Sequence, residues 1–374
     1  MSLPKLYGVV YDCGILSIAI LSKDQEAVEK ILQKRPCSIN ERNSLGQTPL
    51  HLAADWPWGT NRLLAAGTPA DIGDKTSLYP LNYASMVGCW TVFESLLDSE
   101  SPILAHGNHP FSQNKLGLFG LNDESLPPQT FSHLCIALAD RRKRLKELAT
   151  QVLSSTEQSK LISSNPGLLD SKAGEVYKMI SDRYYEIPSD LQVPLTTSTV
   201  YHTTRLKRAE MSKLYDIGFR EVDTRNYSGY TPFMIAEQSW RDISDVSVFE
   251  WLISKGVDPL AKIGKSGTVY IHYLVIGLAA SALERLESMH RKSQTLSVAA
   301  LTDFKPGLRL IIREAGLEVK DQCQCRCSPD GCSSLHLLLN YASSYLHLRI
   351  SEESYGCIDC EFRLKTFSGA RRDS

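Results

Sequence analysis

Apolar residues recur along this chain in short bursts with helical spacing. Each burst is followed after a brief polar stretch by a second one. Leu16 and Ala19 precede Val28, Ile31 and Leu32, and Leu50, Ala53 and Ala54 precede Leu63 and Leu64. Leu81 and Ala84 precede Val92, Leu96 and Leu97, and Phe233 to Ala236 precede Phe249, Leu252 and Ile253. Gly67 stands where a left-handed helix terminator belongs, Met211, Leu214 and Tyr215 form a face that ends at Gly218, and Gly256 completes a later unit. The pattern therefore predicts pairs of short helices. Between the pairs it changes. Residues 106–129 are rich in Gly, Asn, Ser and Pro and read as a loop. Leu134, Ala137, Leu138, Leu145, Leu148 and Val152 predict one long helix over 130–154, and a further helix is expected over about 173–185, before Pro188.

The paired helices carry a recurring start. Gly46-Gln47-Thr48-Pro49-Leu50-His51-Leu52-Ala53-Ala54 matches the ankyrin signature over its whole length. Thr48 can cap a helix, Pro49 suits its first turn, where no amide donor is needed, and the alanines let neighbouring helices pack closely. Pro80 lies 31 positions after Pro49 and Ile15 lies 34 before it, close to the ~33-residue ankyrin period. Gly229-Tyr230-Thr231-Pro232-Phe233-Met234 is a second clear start. Gly267 to Leu274 and Gly331 to His336 are weaker echoes, the latter with Ser333 and Ser334 in place of Thr and Pro. The expected fold is an all-α ankyrin-repeat solenoid of helix–turn–helix units with short hairpin loops, interrupted by a helical insert and ending in a Cys-rich segment. In residue terms, 1–101 are N-terminal repeats, 102–199 a loop and helical insert packed on the array, 200–300 a second ankyrin block, and 301–374 the Cys-rich segment with a degenerate repeat.

Composition narrows the function. With 374 residues, 43% hydrophobic and 22% charged, the chain can bury a core, and a net charge of −1 argues against a general nucleic-acid or membrane-surface binder. The best apolar run, Ile271 to Leu283, is too short to span a bilayer and holds His272. Asp12 interrupts the apolar stretch from Leu6 to Leu21, which fits a first repeat helix better than a signal sequence. A cytoplasmic or nuclear location is expected.

Four segments resemble a large group of filamentous-fungal ankyrin proteins: Val10 to Gly14, Leu45 to Pro57, Val200-Tyr201-His202 leading to Gly218-Phe219, and the cysteine motif from Cys323 to Leu335. The resemblance covers most of the chain, the insert least. It implies protein binding through ankyrin repeats and no enzymatic chemistry. The chain departs from the group's pattern at Ser334 and Val269.

Of the chemical candidates, Cys323, Cys325, Cys327 and Cys332 form the sharpest, since thiolates are zinc ligands and the Pro329-Asp330-Gly331 turn can bring Cys332 back towards the others. Cys357 and Cys360 could add ligands. The first three are spaced more closely than a C-x₂-C knuckle, so reduced thiols ordering a turn and a disulfide stay open beside structural zinc. Gly264-Lys265-Ser266 lacks the earlier Gly of a phosphate loop, Pro259 standing there, and is read as a hairpin tip. The basic run Arg141 to Arg144, with Lys146, reads as the solvated face of the long helix, or alternatively as an import signal or acidic-partner site. Neither G-x-S-x-G nor H-E-x-x-H occurs, and the chain is expected not to be an enzyme.

What remains is a surface. Ankyrin arrays bind through hairpin tips and the exposed ends of first helices. Those positions are Ser44, Leu45, Gln47, Asp55 and Trp56; Lys75, Thr76, Leu78, Met86 and Val87; and Tyr227, Ser228, Tyr230, Gln238 and Ser239. Trp56, Met86, Tyr227 and Tyr230 are of types enriched or apt at binding anchors. The alternative is that the insert covers this face. The leading expectation is a monomeric, non-enzymatic adaptor that needs no cofactor and binds a protein partner. A zinc-dependent or redox-responsive module built on the cysteines stands second, and an enzyme a distant third.

Overall fold

In the computed structural model the chain is an all-α ankyrin solenoid. The structure describes residues 3–103, 126–161, 167–193, 198–202, 206–226, 229–238, 247–263 and 268–269, with 309 and 313. The described helices are α1 (Leu3–Val10), α2 (Ile15–Leu21), α3 (Gln25–Lys34), α4 (Pro49–Leu52), α5 (Pro57–Ala65), α6 (Pro80–Val87), α7 (Trp90–Asp98), α8 (Pro128–Val152), α9 (Ser155–Leu161), α10 (Ala173–Ser181), α11 (Arg208–Ile217), α12 (Pro232–Gln238) and α13 (Ser247–Ser254). One two-residue hairpin, β1 (Lys262–Ile263) with antiparallel β2 (Thr268–Val269), flanks the Gly264-Lys265-Ser266 tip, which lies outside the described residues. The chain divides into two compact units, 1–203 with 209–221, and 204–208 with 222–374.

In the first unit, α2/α3, α4/α5 and α6/α7 are the expected helix pairs. The first helices α2, α4 and α6 pack in series, and α5 packs on α7. Their core is the predicted one: Leu16, Val28, Leu50, Leu63, Leu81, Val92 and Leu96 are all at most 2% exposed. Arg62 clasps Glu29 with two bonds of 2.6 and 3.0 Å, tying α5 to α3. Gly67 takes a φ of +83°, as its place after α5 requires.

The start of each repeat shows how closely the motif follows its hydrogen bonds. In the second repeat, His51 Nδ1 accepts from the Thr48 amide at 3.0 Å and lies 2.9 Å from Thr48 Oγ1, while Nε2 meets the Leu78 carbonyl at 3.0 Å. A carbonyl only accepts, so the proton sits on Nε2 and the ring bridges its own turn to the next hairpin. Burial holds the imidazole down to about 4, neutral as this bonding demands. Asn82 replaces it one repeat later, accepting from the Tyr79 amide at 2.8 Å. The same device recurs at Thr199-Val200-Tyr201-His202, where His202 Nδ1 accepts from the Thr199 amide at 2.9 Å. Val200–His202 is a single 3₁₀ turn, followed by α11 and by Gly218 at φ +131°. A repeat start therefore stands where the sequence showed only a resemblance segment. The described turn there spans three residues, too few to leave a hydrophobic period.

Two starts have neither the ring nor an amide in its place. Ser17 occupies the His position of the first repeat, and its buried hydroxyl has no partner. In the second unit Met234 occupies it; the Thr231 amide reaches only the thioether at 3.4 Å, and the buried Thr231 Oγ1 is unpaired. A buried unpaired hydroxyl costs roughly 1–3 kcal/mol. Met234→His is therefore expected to raise stability by about 1 kcal/mol, read as a higher urea midpoint. A lowered midpoint would mean that the ring does not fit.

The insert helix α8 fills the predicted long span, and α10 ends at Ser181, four residues short of the expected end. Leu145, Ala149 and Leu153 close a core with Leu161, Leu169, Ala173, Val176, Ile180 and Val193. Several polar bonds join α8 to α7 and the residues just after it. Thr130 donates to Glu94, and His133 Nε2 lies 2.7 Å from Asp98. Arg141 donates to the carbonyls of Ser101 and Leu97 at 2.9 and 3.3 Å, at and just beyond the end of α7, where Leu97 O also takes the Glu100 amide. The expected solvated basic face is thus corrected. Arg141 and Arg142 are 6% and 8% exposed, and Arg144 bridges Glu100 and Asp190. Tertiary contact claims these charges.

Arg142 is buried near Asp170, whose carboxylate takes the Val200 amide on both oxygens, at 3.1 and 3.3 Å. Burial pushes the Asp170 carboxyl up to about 7, against the pull of Arg142 and the Val200 amide. A carboxyl raised in the folded state confers stability that is full below its unfolded value of about 4 and lost as pH rises through about 7. Wild type should therefore lose stability relative to Asp170→Asn as pH climbs through that window. His51, lowered by folding, acts in the opposite sense, but it is common to both proteins and cancels in the difference. Parallel urea midpoints across the window would refute the assignment.

Candidate protein-binding surface

The hairpin tips are built alike. At Asn43, Asp74 and Asn226 the backbone amide donates to the carbonyl four residues on (Gln47, Leu78 and Tyr230), and the carbonyl accepts from the residue three on (Gly46, Ser77 and Gly229). Each side chain then closes its own loop. Asn43 Oδ1 accepts from the Leu45 and Gln47 amides, Asp74 Oδ1 from the Thr76 and Leu78 amides, and Asn226 Oδ1 from the Tyr230 amide. This is the Asx-turn chemistry that makes Asn and Asp recur at such tips. The residue three positions on is left-handed in every case: Gly46 at φ +80°, Ser77 at +63° and Gly229 at +80°. Gly46 is required twice over, since a Cβ there would also meet the Lys75 amide nitrogen at 2.9 Å.

In the first unit successive fingers are joined. The Ser44 amide donates to Tyr11 O at 2.7 Å and the Lys75 amide to Leu45 O at 3.0 Å. Beneath them runs a chain of side chains. Tyr7 donates to Gln47 Oε1 at 3.1 Å, Gln47 Nε2 to Tyr83 at 2.8 Å, and Tyr83 to Asp74 Oδ2 at 2.6 Å. Burial acts to raise the Asp74 carboxyl, but the bonds from Tyr83, Thr76 and the Thr76 and Leu78 amides outweigh it and hold it below the usual range. Burial and the bond to Asp74 both push the Tyr83 phenol well up.

The residues expected on this surface divide. Ser44, Leu45 and Lys75 are exposed at the tips, and Met86 and Val87 are 50% and 57% exposed at the end of α6. Thr76 is exposed, Leu78 half-buried, and Asp55 ion-paired with Lys23 at 2.8 Å. Two expected exposures are corrected. Gln47 is 5% exposed, its amide spent on Tyr7, Asn43 and Tyr83. Trp56 is 8% exposed, folded back on the first turn of α5 so tightly that a Cβ on Gly59 would lie 2.2 Å from its ring. In the second unit Tyr230 is 37% exposed. Tyr227, Ser228, Ser239 and the side chain of Gln238 lie outside the described residues, as do Cys323, Cys325, Cys327 and Cys332. Arg42, exposed at the base of the second finger, was missed; its place four residues before Gly46 was the available signal. Among the described residues no group of three His, Cys, Asp or Glu side chains is placed to hold a metal, and no helix is long and apolar enough to cross a membrane.

Helix pairs stacked in series, hairpin fingers and the Thr–His turn define the ankyrin-repeat fold. No protein-family model matches the sequence, and no curated protein matches it. Among solved structures, the ankyrin repeat domain of Bcl-3, a member of the IkappaB protein family, is 15% identical with a TM-score of 0.32, covering 88% of this chain and 98% of that one. The human ASB11 ankyrin repeat domain is 14% identical with a TM-score of 0.37, covering 69% and 90%. The assignment rests on the repeat geometry itself.

Proposed function

We propose that this chain is a non-enzymatic adaptor that binds a protein partner on the fingers and first-helix ends of its first unit. Supporting this is one contrast: the side chains of Asn43, Gln47, Asp74 and Tyr83 are spent on internal bonds, while Leu45, Met86 and Val87 stay exposed at 39%, 50% and 57%. A stiff frame presenting open apolar side chains binds with little ordering cost. Leu45→Ala with Met86→Ala should weaken a partner identified by affinity capture by roughly thirtyfold, for ~2 kcal/mol at an anchor, with the melting temperature nearly unchanged. Ile136→Ala with Lys143→Ala, on the exposed side of α8, should leave binding intact. The reverse pattern would place the site on the insert and sink the proposal.

A further inference from the structure

Four charged residues of the second and third fingers divide by sign. Two carboxylates belonging to these fingers face inward. Asp74 takes the bonds described above, and Glu41 lies over Gly14, with Oε2 accepting from the Ser17 amide at 3.4 Å. The two cations face out. Arg42 and Lys75 are both exposed, and neither side chain has an ionic or hydrogen-bonding partner among the described residues. They sit on adjoining fingers, joined where the Lys75 amide bonds Leu45 O and the Lys75 stem crosses Gly46, where a Cβ would meet Lys75 Cγ at 3.2 Å. Exposed Leu45 lies at the second tip, and Asp12, next to the Tyr11 carbonyl that the Ser44 amide meets, is an exposed carboxylate on the first finger. So a chain of net charge −1 places two exposed cations, without ionic partners among the described residues, and an exposed leucine on adjoining, hydrogen-bonded fingers.

We infer that the partner segment is an acidic peptide, with carboxylates opposite Arg42 and Lys75 and an apolar side chain on Leu45. The inference rests on the reading of the fingers as the binding surface and adds the chemistry of what binds there. Complementary charge fixes register and excludes basic competitors, and an exposed pair of cations leaves binding sensitive to salt.

The test selects phage-displayed random peptides on the full chain, then measures synthetic copies of the enriched ones by fluorescence polarisation. Enriched peptides should carry Asp or Glu on both sides of a Leu, Ile or Met. Arg42→Glu with Lys75→Glu should weaken them at least about tenfold, as like charges are brought together. Lys30→Glu with Lys34→Glu makes the same change in net charge on α3 and should leave affinity within about twofold, all variants melting as wild type. Enriched peptides without carboxylates, or equal losses in both charge-reversed proteins, would overturn the inference. Peptides without carboxylates that still depend on Leu45 and Met86 would overturn it while leaving the adaptor reading in place. Peptides indifferent to all these changes would overturn both. Binding of anionic vesicles with no peptide selected would overturn the acidic-peptide assignment too.

Discussion

Leu50→Asp is expected to unfold the first unit. Leu50 is wholly buried where α4 meets its neighbours on both sides, α2 and α6, so no rotamer carries a carboxylate from there to water. An unpaired charge in a packed interface costs about 4 kcal/mol or more, a large part of the ~5–15 kcal/mol that holds a domain together. Because repeats are stabilised by their neighbours, the loss should spread through α2 to α7. Circular dichroism should show lost helix and a melting transition lowered or gone. An unchanged melt would mean that the repeat register is wrong.

Trp56→Ala should be nearly as damaging, by about 3–5 kcal/mol, the range for removing a large buried aromatic. The ring is 8% exposed and packs on Gly59 and on Trp58, at a centroid distance of 5.1 Å. Read as a surface anchor, the same substitution would leave the melting temperature nearly intact and abolish binding. The two outcomes separate cleanly in one melting experiment. A large drop supports the buried position, and an intact melt with lost binding restores Trp56 to the surface.

Trp56 and Gln47 also show where reading the chain alone falls short. Counting from the motif puts both on the open face, because ankyrin positions are defined by the backbone of the repeat. Whether a side chain then points outward depends on what lies opposite. Gly59 leaves a hollow that the Trp56 ring fills, and Tyr7 and Tyr83 offer Gln47 two partners from separate elements. Leu45, Lys75 and Met86 were legible as exposed, since little packs over those ends.

The basic run on α8 follows the same logic. Composition makes Arg141 to Arg144 a solvated stripe, because burying a guanidinium unaided is prohibitive. The Leu97 and Ser101 carbonyls accept from Arg141 and remove that objection, and they lie about forty residues earlier in the chain.

The sequence by itself determined the helix pairs, their period, the buried apolar face and the left-handed glycines. Each depends on residues a few positions apart, through helical spacing, capping and the steric freedom of glycine. Only the tertiary structure decided which polar side chains the fold consumes. The Gln47–Tyr83–Asp74 chain, the capping of α7 by Arg141, the inward turn of Glu41 and the repeat hidden at Thr199–His202 depend on partners brought together from distant parts of the chain or on a turn too short to leave a period. A hydrogen bond across such a distance leaves no regular spacing in the residues that make it.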